Sequence, residues 1–112
     1  MSVSFEGVGQ VCATFLGGGL QEGQVVKVTE PGTVGPCGAG DGFCGTALCC
    51  KDDACTVQVA GFVTVGYTGT PPAVGYASLC ADGTGGVKVS AGGRSRLVAD
   101  VDKTAKAVTI LL

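Results

Sequence analysis

Residues 42–65, GFCGTALCCKDDACTVQVAGFVTV, constrain the fold of this chain more than any other stretch. Phe43 to Cys50 is a mostly small, apolar run containing Gly45, and Lys51-Asp52-Asp53-Ala54 is a charged turn. Cys55 to Ala60 then alternates with the period of two that marks a strand covered on one face, with Val57 and Val59 sharing that face. Gly61 interrupts the alternation as a bulge or kink does, and Phe62-Val63-Thr64-Val65 resumes it with β-branched residues. Two contiguous strands therefore meet at a corner, and a sheet that bends there can close on itself.

The rest of the chain supplies strands at similar spacing. Val11–Leu16 is a strand ended by Gly17-Gly18-Gly19, and Val25–Val28 is followed by the turn Glu30-Pro31-Gly32-Thr33, with Pro at its second place. Tyr67 to Pro72 cannot join an interior ladder because its prolines lack an N–H, so it is a crossing loop. Tyr76–Cys80 and Val87–Val89 flank an Asp82-Gly83 turn, and Arg94–Val101 and Ala107–Leu112 form a last hairpin across residues 102–106. The final strand, ending Ile110-Leu111-Leu112, is apolar enough to be paired inside a sheet. No stretch carries helical periodicity. The expected class is all-β, a small glycine-rich β-barrel or barrel-like sandwich with short hairpins, over residues 11–112 as a single domain. Residues 1–10 hold Val3 and Phe5 in strand alternation but are set apart by Gly7 and Gly9, so they form either an N-terminal arm or an edge strand.

A chain of 112 residues has one domain's worth of core. Without Trp, and with four Phe and two Tyr, that core is built from Val, Ala, Leu and Cys. Its 21 glycines belong to turns. So thin a core implies a second source of burial, for which subunit association is the ordinary one.

Seven cysteines, at 12, 37, 44, 49, 50, 55 and 80, raise three readings. A disulfide framework is disfavoured by the odd number, by the lack of a secretory signal ahead of the first strand, and by the placement of most cysteines where a small apolar residue fits. A metal site drawn from Cys44, Cys49, Cys50 and Cys55 lacks any C-x-x-C pair or histidine, and adjacent Cys49 and Cys50 point to opposite faces. Core packing as buried free thiols in a reducing compartment is the expectation.

Catalytic and ligand-binding readings find little support. The chain has no histidine, so a cysteine nucleophile lacks its usual base. The carboxylate pairs Asp52-Asp53 and Asp100/Asp102 sit at hairpin turns, where aspartate serves geometry. The glycine-rich 35–42 segment has no following helix and no Lys-Ser/Thr pair, which rejects a phosphate loop. A net charge of −2 leaves no basic footprint for nucleic acid, and Arg94 with Arg96, the closest basic pair, reads as a solvated strand face. Glycine interrupts the apolar runs too often for a membrane span. The expectation is no enzyme, no catalytic residues, no cofactor and no metal.

The succession LQEGQVVKV, AGDGFCGTAL, CTVQVAGFVTV, PPAVGYASLCADGTGGVKV and RLVADVDKTAKAVTILL resembles the head decoration, or capsid-cementing, proteins of tailed bacteriophages and related prophages. The resemblance lies in the order, over about ninety positions, of a Gly-Asp turn, a Gly-x-Ala-Leu strand, a Val-x-Val-x-Gly-x-Val strand pair, a Val-Gly-x-x-x-Leu segment and an apolar C-terminal strand. The chain departs in its cysteines and in Gln24, where the family often has Asp. The resemblance implies a small β-barrel that assembles as homotrimers on the outside of a phage capsid, made in the host cytoplasm and not secreted. Its partners are then the major capsid protein and other copies of itself, and it brings no catalytic residues. Val3 and Phe5 are the candidate anchors of an arm that adds to a capsid sheet edge. A ring-forming shell protein of another assembly, such as a bacterial microcompartment, is the alternative, and a Cys-based metal-binding module a further one.

Overall fold

The computed structural model describes residues 9–112, so Val3, Phe5 and most of the 1–10 segment lie outside the described residues. The described chain is all-β. Its ten strands are β1 (Val11–Leu16), β2 (Val25–Glu30), β3 (Thr33–Pro36), β4 (Gly45–Lys51), β5 (Ala54–Ala60), β6 (Phe62–Gly66), β7 (Gly75–Ala81), β8 (Val87–Val89), β9 (Arg94–Asp102) and β10 (Ala107–Leu111). The first five close into a barrel in the order β1-β3-β2-β4-β5, and the other five form a sheet in the order β6-β10-β9-β7-β8. This refines the expected single barrel over 11–112: closure uses only the strands before Gly61.

The β4–β5 hairpin is the centre of the barrel. Its register pairs Cys50 with Cys55 and Lys51 with Ala54, which leaves Asp52 and Asp53 as the two turn residues. Their φ values of 53° and 64° are the paired positive angles of a type I′ turn, whose twist matches that of the strands it joins. Asp accepts this region because its short side chain hydrogen-bonds locally. At the other end of β4, a Cβ on Gly45 would run into the carbonyl oxygen of Gln58 on β5, so glycine is what allows the two strands to approach there. The barrel seam is short. Antiparallel β1 and β5 pair over six positions, whereas β1 meets β3 in parallel at Leu16 and Thr33 only, helped by a 2.8 Å bond from Leu16 N–H to Gly32 O.

Gly61 is the corner that the sequence indicates. Its φ of +94° is readily adopted only by glycine, and a Cβ there would stand 3.0 Å from both Gln10 Cα and Gly9 O. The buried Gln58 pins the corner from the barrel side. Its Nε2 donates to Ala60 O at 3.0 Å and Phe62 O at 3.1 Å, one on each flank of Gly61, while its Oε1 accepts from Gln10 Nε2 at 2.9 Å. Leu112 N–H donates to Gly61 O at 3.0 Å, so the C-terminal end of the chain closes on the same point.

In the second sheet β10 runs between β6 and β9, in agreement with the interior placement expected for an apolar last strand. Val63, Ile110 and Val98 are register partners across β6, β10 and β9, and all three are buried. The β9–β10 turn is organised by Asp102, whose Oδ1 accepts from Thr104 and Ala105 N–H, each at 3.0 Å.

Two cores result, and neighbouring residues of one strand divide between them. Val25 and Val26 on β2 are both fully buried, but Val26 joins the barrel cluster with Val34, Ala47, Cys55 and Val57, while Val25 joins the larger cluster of the sheet. The period of two places consecutive side chains on opposite faces, so an apolar doublet is what a strand shared by two cores requires. The sheet cluster includes Leu79, Ile110, Tyr67 and Phe43; the fully buried barrel positions hold nothing larger than valine.

Candidate functional site

The cysteines depart from the expectation of buried free thiols. Cys50 and Cys55 form a disulfide, and of the rest Cys37 and Cys80 are buried, Cys44 is half-buried, and Cys12 and Cys49 are exposed. The reason is register. Alternation correctly sets Cys49 and Cys50 on opposite faces, but the two-residue turn then brings Cys50 directly across from Cys55 on the barrel's inner side. Cys37 resists ionisation, because burial, reinforced by the nearby Asp41 carboxylate, pushes it up to about 11. Among the described residues no group of three or more His, Cys, Asp or Glu is placed to hold a metal ion.

Arg96 also departs from its expectation as a solvated residue, while Arg94 is exposed as expected. Arg96 is only 6% exposed, and its guanidinium carbon lies 4.6 Å from the centre of the Phe43 ring. Its Nη2 donates to Phe43 O at 2.9 Å, but its Nε finds no acceptor among the described residues. Burial lowers its pKa, with a contribution from neighbouring Arg94. The residue spans from β9 to the segment entering β4, so it ties the sheet to the barrel. That is a structural use of a charge that the sequence presents as surface.

The glycine-rich 35–42 segment, rejected as a phosphate loop, forms the end of β3 and most of the β3–β4 loop, which is folded around Asp41. Its Oδ2 accepts from Gly38 N–H at 2.8 Å and from Lys27 Nζ at 2.6 Å. The hydrogen bond from Lys27 is the main cause holding the Asp41 carboxyl below its ordinary value, and the same bond raises Lys27. Gly40 N–H and Asp41 O then bond to Ala81, which fastens the loop to the end of β7.

Large apolar side chains remain exposed on both bodies. On the barrel these are Val11 at 52%, Leu16 at 61% and Val28 at 53%; β1 contributes two of them and is exposed along most of its length. On the sheet, Tyr76, Leu97 and Leu111 are register partners across β7, β9 and β10, and Tyr76 is 76% exposed. These residues share the face opposite Val98 and Ile110, so the outer side of the sheet carries an apolar row.

Where the two bodies adjoin, the β1–β2, β6–β7 and β7–β8 loops line an open polar cleft of about 540 Å³. Asp82 fixes its β7–β8 wall: Oδ1 accepts from Thr84 N–H at 2.7 Å, the Thr84 hydroxyl at 2.8 Å and Gly86 N–H at 3.1 Å. Burial opposes ionisation of this carboxyl, but those donors, with the Thr68 hydroxyl, outweigh it and hold the pKa below the ordinary value. Sequence reading found the Asp-Gly turn here but not the cleft, since the opposing loops come from residues 19–24 and 66–68. Val3 and Phe5, the residues singled out for partner binding, lie outside the described residues. No family model matches this chain, and no match is found among curated proteins or solved structures.

Proposed function

We propose that this chain is a structural protein of an assembled shell, a decoration or cementing protein on the outside of a tailed-phage capsid, working as a homotrimer and without catalysis. The observation that carries the reading is the exposure of Val11, Leu16 and Val28 on the barrel wall, Val11 standing where the N-terminal segment joins β1. Soluble proteins scatter single exposed aliphatics, but several large ones on so thin a barrel are better used as contact area for other subunits. The order of glycine and apolar motifs along the chain, which resembles the decoration proteins, supports the same class.

In this reading the N-terminal segment, anchored by Val3 and Phe5, adds to a capsid sheet edge, while the barrel contacts neighbouring copies and bridges adjacent shell proteins. Binding stabilises the expanded shell by mass action, because the chain engages the assembled surface and not dispersed subunits. Deletion of residues 2–8 tests it, since this spares Gly9 and Gln10, which pack on Gly61. Co-sedimentation with empty expanded capsids should be lost while thermal melting of the isolated protein is unchanged. Retained sedimentation overturns the arm, and a collapse of melting assigns the segment to the fold. Light scattering at micromolar concentration should give the mass of a trimer; a monomer counts against the assembly.

A further inference from the structure

We propose that the cleft between the barrel and the sheet is a binding site for a basic side chain, the guanidinium of arginine or the ammonium of lysine, presented by a loop of another protein. The first argument is charge. Glu22 and Asp82 are the charged residues of the lining, with the nearest cation, Lys106, outside it behind Tyr67, so the cleft itself presents negative charge. Asp82 stays ionised at neutral pH because its hydrogen bonds outweigh its burial. Such a cleft rejects phosphates and carboxylates and concentrates cations.

The second argument is shape. A space of about 540 Å³ holds a side chain together with the turn that bears it, and it falls within the range of formed ligand sites. Gly86 lets the β7–β8 wall close against β6, since a Cβ there would run into Gly66 O. The walls are held in place before any ligand arrives: Val25 N–H donates to Gly85 O at 3.0 Å, Thr68 N–H to Val87 O at 3.0 Å, and Gly23 N–H to Ala47 O at 2.7 Å. A preorganised site spends little of its binding free energy on ordering itself. A saccharide is the weaker candidate, because Tyr67, the aromatic in the lining, is only 5% exposed and offers no face for stacking.

The proposal concerns the isolated chain and does not rest on the shell reading, so either can fail alone. The test titrates the full-length ¹⁵N-labelled protein with acetyl-Gly-Arg-Gly-amide, and in parallel with the same peptide carrying citrulline, which is nearly isosteric but neutral. The arginine peptide should give saturable shifts confined to the amides of Gly23, Thr68, Gly85 and Gly86, weakening with added salt. Glu22→Gln should weaken it about two- to fivefold, the effect of losing one partly exposed charge partner. Its urea midpoint should not move, since Glu22 is exposed. Equal shifts with the citrulline peptide, no saturable shift into the tens of millimolar, binding unaltered by Glu22→Gln, or saturable binding of maltose at the same amides would each overturn the proposal.

Discussion

The barrel and the second sheet have equal numbers of strands and opposite ways of staying folded. In the sheet, Ile110, Leu79 and Val98 are excluded from water along with Tyr67 and Phe43, so apolar volume does the work. The barrel interior offers Val26, Val34, Ala47, Cys55 and Val57, and a covalent Cys50–Cys55 link closes its central hairpin. A small closed barrel has little room inside, which limits its residues and hence what burial can contribute. The same barrel exposes Val11, Leu16 and Val28. The two bodies thus divide by filling: the sheet buries large apolar side chains, while the barrel interior is confined to valine, alanine and cysteine and is tied by a disulfide.

The largest expected effect breaks the sheet. Ile110→Ala should cost about 2–5 kcal/mol in urea denaturation, as a fully buried branched side chain is replaced by a cavity. Val57→Ala in the barrel should cost less, roughly 1.6 kcal/mol from two carbons at about 0.8 each before any cavity. Equal losses at the two sites would erase the contrast.

Reducing the disulfide should sharpen it. Closing so short a loop constrains the unfolded chain by about 2 kcal/mol in the chain-entropy model. The loss should be local, with amide exchange accelerating in β4 and β5 and little changed in β9 and β10. In native protein, thiol reagents should reach Cys12 and Cys49 quickly and Cys37 and Cys80 only on unfolding. Uniform acceleration of exchange would mean that the two bodies open together.

Gln58→Ala should uncouple the two bodies at Gly61, leaving the Ala60 and Phe62 carbonyls without the side-chain amide that joins them. About 1–2 kcal/mol is expected for the two neutral hydrogen bonds at the corner, before the loss of the third from Gln10, with the denaturation transition broadened. A sharp, unshifted transition would remove Gln58 from the account of the corner.

The smallest effect is electrostatic and depends on pH. The folded pKa of Asp41 is depressed, so its contribution is present above its ordinary value of 3.8 and is lost as pH falls through the folded value. Lys27 is raised, so its contribution is present below its ordinary 10.5 and is lost as pH rises through the folded value. With side chains 39% and 36% exposed, the pair is screened by salt. Asp41→Asn should therefore be slightly less stable than the parent at neutral pH, with the gap closing in strong acid and in high salt. A gap independent of pH would mean that the loop geometry around Gly38 matters and the charge does not.

Much of the fold is legible in the sequence because its signals are local. The turn at Asp52-Asp53, the glycine corner at 61 and the apolar last strand each depend on residues within a few positions, and each stands where the alternation sets it. What is not legible is which sheet covers which face. Gln58 reads as the solvent-facing member of an alternating strand, yet it is 3% exposed, because Gly61 folds the next strand back beside it. Arg96 is hidden by the segment entering β4, whose Phe43 covers it from 53 residues away. The Cys50–Cys55 bond follows from a register that composition does not encode, and the cleft at Asp82 needs three loops that meet only in the folded chain.

The most direct test of the shell reading is quantitative mass spectrometry of purified, DNA-filled phage particles from a host that carries this gene. The chain should be present in a fixed ratio to the major capsid protein, and should be lost together with thermal resistance of the shell when the gene is deleted. Particles that lack the chain, or that melt identically without it, would contradict its assignment to the capsid surface.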